Sequence, residues 1–190
     1  MSKADQDFAS GLQECIRRTL SDVRVEMTEE FDRNFTRQAF FTESWARKKH
    51  NNRKPVLIDT GTLRRSITSQ QTKNSVVFFS TEKYALIHNN GGKMKVTARM
   101  KKYFWYRYLQ VAGKMTRTKS GAFSRSKKNL QLGADAEFFK AMALKRVGSK
   151  ITIPRRKFIG MHPQVQQAVQ EIIEKNFNQY FNHIKIDFKE

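Results

Sequence analysis

The chain has 190 residues, of which 37 are Lys or Arg and 17 are Asp or Glu, so its formal net charge is +20. This length predicts a core that needs no disulfide or metal, and the single cysteine, Cys15, is expected to pack as a small core residue. No apolar run approaches the roughly 20 residues that span a bilayer, and the polar start predicts no secretion signal. The excess of cations predicts a polyanionic partner, such as nucleic acid, an acidic protein surface or anionic lipid.

The first third of the chain is dominated by one long predicted helix. From Asp5 to Phe35 apolar residues recur every three or four positions, and because this stripe drifts it favours contact with more than one neighbour, including another subunit. A polar, basic connector follows over residues 47–54. The stretch Val56–Ile67 then predicts a strand, a turn at Asp59-Thr60-Gly61 and a short helix capped by Asp59 or Thr60.

Two further strands are predicted before the composition changes. Ser75–Ser80 has apolar residues on both faces, and Tyr84–His88 predicts a second strand that forms a hairpin with the first. Asn89-Asn90-Gly91-Gly92 is expected to end it. Residues 84–134 hold twelve Lys or Arg and no Asp or Glu, the sharpest compositional shift in the chain.

A basic, partly helical insertion is predicted over residues 93–147. Within it we expect an aromatic-rich helix over Arg99–Val111, a mobile basic loop over Gly113–Asn129 and another helix over Ala134–Arg146. A short strand at Lys150–Ile153 and a final helix from Pro163 follow. This order predicts an α+β fold in a single domain, residues 1–190, with long N- and C-terminal helices packed on a small, mainly antiparallel sheet.

The sequence contains no recognisable catalytic or metal-binding pattern. The GxxxxGKS, GxSxG and HExxH motifs are absent, and the histidines at 50, 88, 162 and 183 have no ligand spacing, so no cofactor or metal is expected. One enzyme hypothesis stays open, a small nuclease that uses Asp59 and His88 beside the basic stretch.

Three short segments, in this order, resemble one known family. They are Leu57–Ile67 (Leu-Ile-Asp-Thr-Gly-Thr-Leu-Arg-Arg-Ser-Ile), Tyr84–Gly92 (Tyr-Ala-Leu-Ile-His-Asn-Asn-Gly-Gly) and Ile153–Gly160 (Ile-Pro-Arg-Arg-Lys-Phe-Ile-Gly). The chain resembles the virion morphogenesis proteins of tailed phages and prophages, of the Mu-like tail-completion group, over about residues 20–92 and 150–180. It departs from them in the 93–147 insertion, and in having Arg156-Lys157-Phe158 where the family often has Arg-Pro-Phe.

The resemblance implies a structural virion protein rather than an enzyme. It implies a homo-oligomeric ring, commonly a hexamer, around the DNA channel at the head–tail junction. Such a ring would be assembled in the bacterial host cytoplasm with other neck or tail proteins. The motif residues to which it assigns structural or assembly roles are Asp59, Thr60, Gly61, Leu63, Arg64, Ser66, Tyr84, His88, Gly91, Gly92, Pro154, Arg155, Arg156 and Phe158.

Physical chemistry adds expectations for several of these residues. Gly91 and Gly92 permit a backbone path that other residues disfavour, and His88 is expected to be a hydrogen-bonded structural residue at a strand end. Four arginines are candidates to bridge carboxylates of a neighbouring subunit or phosphates, with solvated surface as the alternative for at least half of them. They are Arg64, Arg65, Arg155 and Arg156.

The alternative function is a nucleic-acid-binding module that acts through residues 93–130. Cations and aromatic residues alternate there, so charges are available for phosphates and rings for bases. The same charge suits an acidic neighbouring protein, and because an aromatic-rich helix is more often core, the sequence ranks that partner ahead of packaged DNA. The candidate contact residues for either partner are Lys95, Arg99, Lys101, Lys102, Arg107, Lys114, Arg117, Lys119, Arg125, Lys127 and Lys128.

Overall fold

Two long helices, one near each end of the chain, form the frame of the fold. The structure is a computed structural model that describes residues 3–48 and 55–187, so most of the predicted 47–54 connector lies outside the described residues. Helix α1 spans Lys3–Arg37 and helix α6 spans Pro163–Asp187, which confirms both predicted terminal helices.

Helices α1 and α6 pack against each other in antiparallel directions. The Tyr180 hydroxyl donates to the Phe8 carbonyl oxygen at 3.0 Å near one end of the pair. Near the other end, Val165 packs with Met27 and Phe31 in a buried cluster. The second half of the α1 stripe is therefore core, as its periodicity predicts, whereas Phe8 remains largely exposed.

The strands confirm an α+β fold, but within residues 3–48 and 55–187 they form three two-stranded antiparallel sheets rather than one. The pairs are β1 (Ala39–Phe40) with β2 (Glu43–Ser44), β3 (Ile67–Gln71) with β4 (Val76–Ser80), and β5 (Gly92–Lys95) with β6 (Lys150–Ile153). Strands β4 and β6 were both predicted. The polar segment that forms β3 has little apolar signal, so its pairing with β4 could not be read from periodicity.

The predicted strand at Tyr84–His88, and with it the predicted hairpin, is wrong. The segment forms helix α3, Ala85–Asn90, and β4 pairs with β3 instead. Burial explains the helix: Ala85 packs into a core cluster, and helical geometry places Tyr84 and His88 one turn apart on one face. Their rings meet edge to face, with centroids 6.0 Å apart.

The predicted strand–turn–helix corner is also only partly right. Residues 56–58 are not a strand, and Leu57 adopts φ 60°, within a turn. The helix is present as α2, Thr62–Arg65, but its N-cap is Gly61, at φ 78°, rather than Asp59 or Thr60. A left-handed cap is accessible to glycine at no steric cost, which explains the shift.

The insertion forms a helical hairpin on a two-stranded stem. Helix α4 (Ala98–Ala112) confirms the aromatic-rich helix, whereas α5 (Lys127–Leu144) begins earlier than predicted, capped by Ser126. The two helices pack through the stacked rings of Phe104 and Phe139. We call residues 98–144 the basic hairpin.

The connection between α4 and α5, predicted as a mobile basic loop, contains a hydrogen-bonded turn. Arg117 and Phe123 form a β-bridge, and the Thr118 N–H donates to the Ala122 carbonyl at 2.8 Å. Buried Asn129 anchors it by donating from Nδ2 to the Thr116 carbonyl at 2.7 Å. The tip of the basic hairpin therefore presents its cations on a hydrogen-bonded turn.

Candidate functional site: the motif junction

The three sequence motifs converge on one buried cluster. Leu63, Ala85 and Phe158, one residue from each motif, pack together against Phe35 and Trp45. The Phe35 ring lies 5.3 Å from that of Phe158 and 5.4 Å from that of Trp45, measured between centroids. We call this region, where residues 57–67, 84–92 and 153–160 meet, the motif junction.

The backbone of the third motif is held by side-chain hydrogen bonds from residues that the sequence did not single out. Asn89 Oδ1 accepts the N–H groups of Phe158, at 2.8 Å, and Ile159, at 3.1 Å. Asn34 Nδ2 donates to the Phe158 carbonyl at 3.3 Å, and Trp45 Nε1 donates to the Lys157 carbonyl. No sequence signal marked these roles, because an asparagine beside glycines predicts a turn.

The close approach of the second and third motifs requires a glycine. Gly91 adopts φ 71°, and a Cβ at this position would lie 2.8 Å from the backbone nitrogen of Arg155. Next to it, the Arg156 N–H donates to the His88 carbonyl at 2.8 Å. Gly91 is expected to allow a backbone path that other residues disfavour. In the structure its positive φ and the lack of room for a Cβ both have this effect.

Three of the four motif arginines make contacts within the chain. Arg64 forms a bidentate ion pair with Asp32 of α1, and Arg65 donates to the Thr60 carbonyl at 3.0 Å. Arg156 is buried and donates to the carbonyls of Ala46 and Arg47, at 2.9 and 3.4 Å. Burial lowers the pKa of the Arg156 guanidinium from its ordinary value. Arg65 and Arg155 are both exposed, so each keeps a surface position for an intersubunit or phosphate contact.

A small cavity of about 270 Å³ opens at the motif junction. It is lined by Asp59 and His88, the pair of the nuclease hypothesis, together with Lys48, Tyr84 and Arg156. His88 is in a helix, and its Nδ1 is buried with no hydrogen-bond partner within the described part of the chain. The predicted hydrogen-bonded role at a strand end is therefore wrong for this nitrogen.

The electrostatics of the cavity favour the neutral form of His88. Burial, and secondarily the charge of Arg156, lower the pKa of His88 from its ordinary value. Burial, with a smaller effect of Glu82, raises the pKa of Tyr84. Among the described residues no group of three or more His, Cys, Asp or Glu is placed to hold a metal ion. The geometry thus places Asp59 and His88 in the lining of the same cavity.

The predicted basic contact residues lie on the hairpin of the insertion and on its stem, which begins at the motif junction. Most are exposed, whereas Lys101 and Arg107 are half-buried. Arg107 packs between the helices, with its guanidinium carbon 5.1 Å from the centroid of the Phe139 ring, so its first role is structural. At the tip, Arg117 lies over the Phe123 ring at 4.3 Å.

A broad apolar groove runs between α1, α6 and β4, with a volume of about 900 Å³. Its walls include Leu20 and Val23 from α1, Val77 from β4, and Val169 and Ile173 from α6. The drifting stripe of α1 was the only sequence signal for such a surface, since it predicted packing against more than one neighbour.

The fold is an α+β scaffold. At the motif junction, the residues of the three sequence motifs mainly hold separate chain segments together. Comparison with protein-family models gives a match to the phage virion morphogenesis family over residues 17–178, and the chain belongs to this family. Its role is therefore one of phage virion structure or assembly, as a virion-associated protein. Comparisons with curated proteins and with solved structures give no match. In the described part of the chain, no helix has the length and apolarity to cross a membrane.

Proposed function

We propose that this protein is a non-enzymatic building block of the phage neck or tail, which assembles as a homo-oligomeric ring at the head–tail junction. The observation that carries this proposal is the apolar groove between α1, α6 and β4. A groove of about 900 Å³ with apolar walls is costly to leave in water, and surfaces of this kind are typical of protein–protein contacts.

The edge of the β3–β4 sheet supports assembly at the same place. Strand β4 pairs with no strand other than β3 within the described residues, and an unpaired strand edge can pair with another chain. Val77 and Phe79 are exposed on this strand, and Val77 also lines the groove. A second copy that covers the groove and the strand edge would bury both surfaces together, and repetition of a head-to-tail contact closes a ring, for which six copies are our expectation.

The proposed structural role also accounts for the motif junction. Asn89, Asn34 and Arg156 bind backbone groups of the chain itself, which leaves them committed to the scaffold. The cavity beside them contains His88, whose pKa is lowered by burial, and the described residues include no group of three or more His, Cys, Asp or Glu placed to hold a metal ion. A metal-dependent nuclease activity that is abolished by both Asp59→Asn and His88→Gln would overturn the non-enzymatic proposal.

Matched substitutions test assembly through the groove. Val77 lines the groove and is 51% exposed, whereas Val25 of α1 is 53% exposed but is not among the groove residues. We expect Val77→Glu to shift the protein to monomer in size-exclusion chromatography with light scattering, while Val25→Glu keeps the oligomer. A monomeric parent protein that is also missing from purified virions, by mass spectrometry, would contradict the proposal.

A further inference from the structure

We propose that the basic hairpin binds nucleic acid through its phosphate backbone, independently of sequence. Fifteen of the 37 Lys and Arg of the chain fall in residues 93–147, against two of the 17 Asp and Glu. A surface with this charge balance, on a segment that extends from a two-stranded stem, is suited to a polyanion.

The exposure of the aromatic residues on α4 favours nucleic acid over an acidic protein as the partner of the hairpin. The sequence ranked the acidic partner first on the expectation that these rings form core. In the structure, however, α4 has no buried residue. Tyr103 and Tyr106 are 50% and 58% exposed, and helical spacing places them on one face with Arg99 and Lys102. Exposed rings beside cations can stack on bases while the cations bind phosphates, which an acidic protein surface does not require.

The cations fall into two groups along the hairpin. One group lies at the stem and the start of α4, and the other surrounds the tip between α4 and α5. A helix of 15 residues is about 22 Å long, so the two groups are separated by a distance comparable to about six base steps of a duplex. The tip group consists of Lys114, Arg117, Lys119, Arg125, Lys127 and Lys128.

The placement of these charges does not serve the stability of the hairpin. Lys127 and Lys128 occupy the first turn of α5, and the first turn of α4 likewise contains Arg99 and no acidic residue. Cations at a helix N-terminus oppose the macrodipole and weaken the helix. A polyanion bound along the hairpin, over both groups of cations, would offset this unfavourable interaction, which gives the arrangement a physical reason.

The decisive experiment compares two triple variants of equal charge in the full chain. Lys119→Gln, Arg125→Gln and Lys128→Gln remove three of the six tip charges, while Arg18→Gln, Lys73→Gln and Lys83→Gln remove three exposed charges elsewhere. Binding to a labelled duplex and a labelled single strand is followed by fluorescence anisotropy between about 50 and 200 mM salt. Circular dichroism of both variants checks that they fold.

We expect the tip variant to weaken binding about tenfold or more near 100 mM salt and to lower the slope of log Kd against log salt by about two to three. The control variant should retain most of the affinity and slope. Equal losses in the two variants, or no binding by the parent protein, would overturn the proposal. This result is independent of ring assembly, because it is measured on purified protein and the tip lies outside the groove.

Substitution of an exposed aromatic residue tests whether the partner is nucleic acid or an acidic protein. Tyr106→Ala should weaken single-strand binding by about fivefold or more, since a stacked base is lost, while Phe181→Ala, an exposed ring on α6, should not. Binding of polyglutamate, a stand-in for an acidic protein, should be weaker than DNA binding and insensitive to Tyr106→Ala. Polyglutamate that binds as tightly as DNA of equal charge would assign the hairpin to an acidic protein and overturn our inference.

Discussion

The side chain of Asn89 binds the backbone of Phe158: its Oδ1 accepts the Phe158 N–H at 2.8 Å, although the two residues are 69 positions apart in sequence. The same oxygen accepts the N–H of Ile159, and Nδ2 donates to the Ile159 carbonyl at 3.1 Å. One amide thus satisfies three backbone groups and ties α3 to the segment that leads into α6. The stability of the motif junction should depend strongly on this residue.

Asn89→Ala is expected to lower the free energy of unfolding by about 2–4 kcal/mol, because it leaves N–H groups at the junction without an acceptor. Urea denaturation followed by circular dichroism measures the change. Asn178→Ala, on the exposed face of α6, is the matched control and should change stability by less than about 0.5 kcal/mol. Similar effects of the two substitutions would show that the Asn89 hydrogen bonds contribute little.

Gly91→Ala should destabilise the protein more than Gly121→Ala. Both glycines have positive φ, 71° and 82°, so both substitutions cost about 1–2 kcal/mol in backbone strain. At Gly91 the new Cβ also meets the Arg155 backbone at 2.8 Å, whereas at Gly121 it meets nothing within 4 Å. We expect about 1–3 kcal/mol of additional loss at Gly91. Equal losses of stability in thermal unfolding would mean that the motif junction accommodates the new Cβ at Gly91 without a loss of free energy.

Stability should fall as the pH drops below about 6.5, with His88 as one cause. Because burial lowers the pKa of folded His88, the unfolded chain takes up the proton first, and acid favours unfolding. This contribution to stability is present above the unfolded pKa and is lost as the pH falls through the folded pKa. Urea unfolding at a series of pH values should show a shallower decline for His88→Gln than for His183→Gln, an exposed histidine of α6. Identical declines would argue against a buried, neutral His88.

The ion pair between Arg64 and Asp32 should cause a second loss of stability, at a more acidic pH than the loss caused by His88. The hydrogen bond from Arg64 lowers the pKa of Asp32, so its contribution is present above about pH 4 and is lost as the pH falls through the folded pKa. Both side chains are more than a third exposed, so the contribution is at most about 1 kcal/mol. Asp32→Asn should lower the free energy of unfolding at neutral pH and reduce its decline below about pH 4. Asp7→Asn, on the same helix, should do neither. If the free energy of unfolding of Asp32→Asn declined at acidic pH as steeply as that of the parent protein, this assignment would be contradicted.

Long periodic segments were predictable because their burial follows from local sequence alone. The helices from Asp5 and from Pro163, and the aromatic-rich helix in the insertion, each have an apolar stripe over several turns. Short segments were not predictable. Tyr84–His88 has the composition of a strand, but α3 forms there because Ala85 is buried against residues that are distant in sequence. The polar strand β3 is likewise defined by its partner β4.

The sequence by itself determined the α+β class, the family and the concentration of positive charge in the insertion, since each depends on composition, periodicity or ordered motifs. Only the tertiary structure decided what those features do. It brought Leu63, Ala85 and Phe158 into one cluster, committed Arg64 and Arg156 to contacts within the chain, and left Tyr103 and Tyr106 in solvent. The physical reason is that exposure and hydrogen-bond pairing depend on neighbours remote in sequence, which local patterns do not contain.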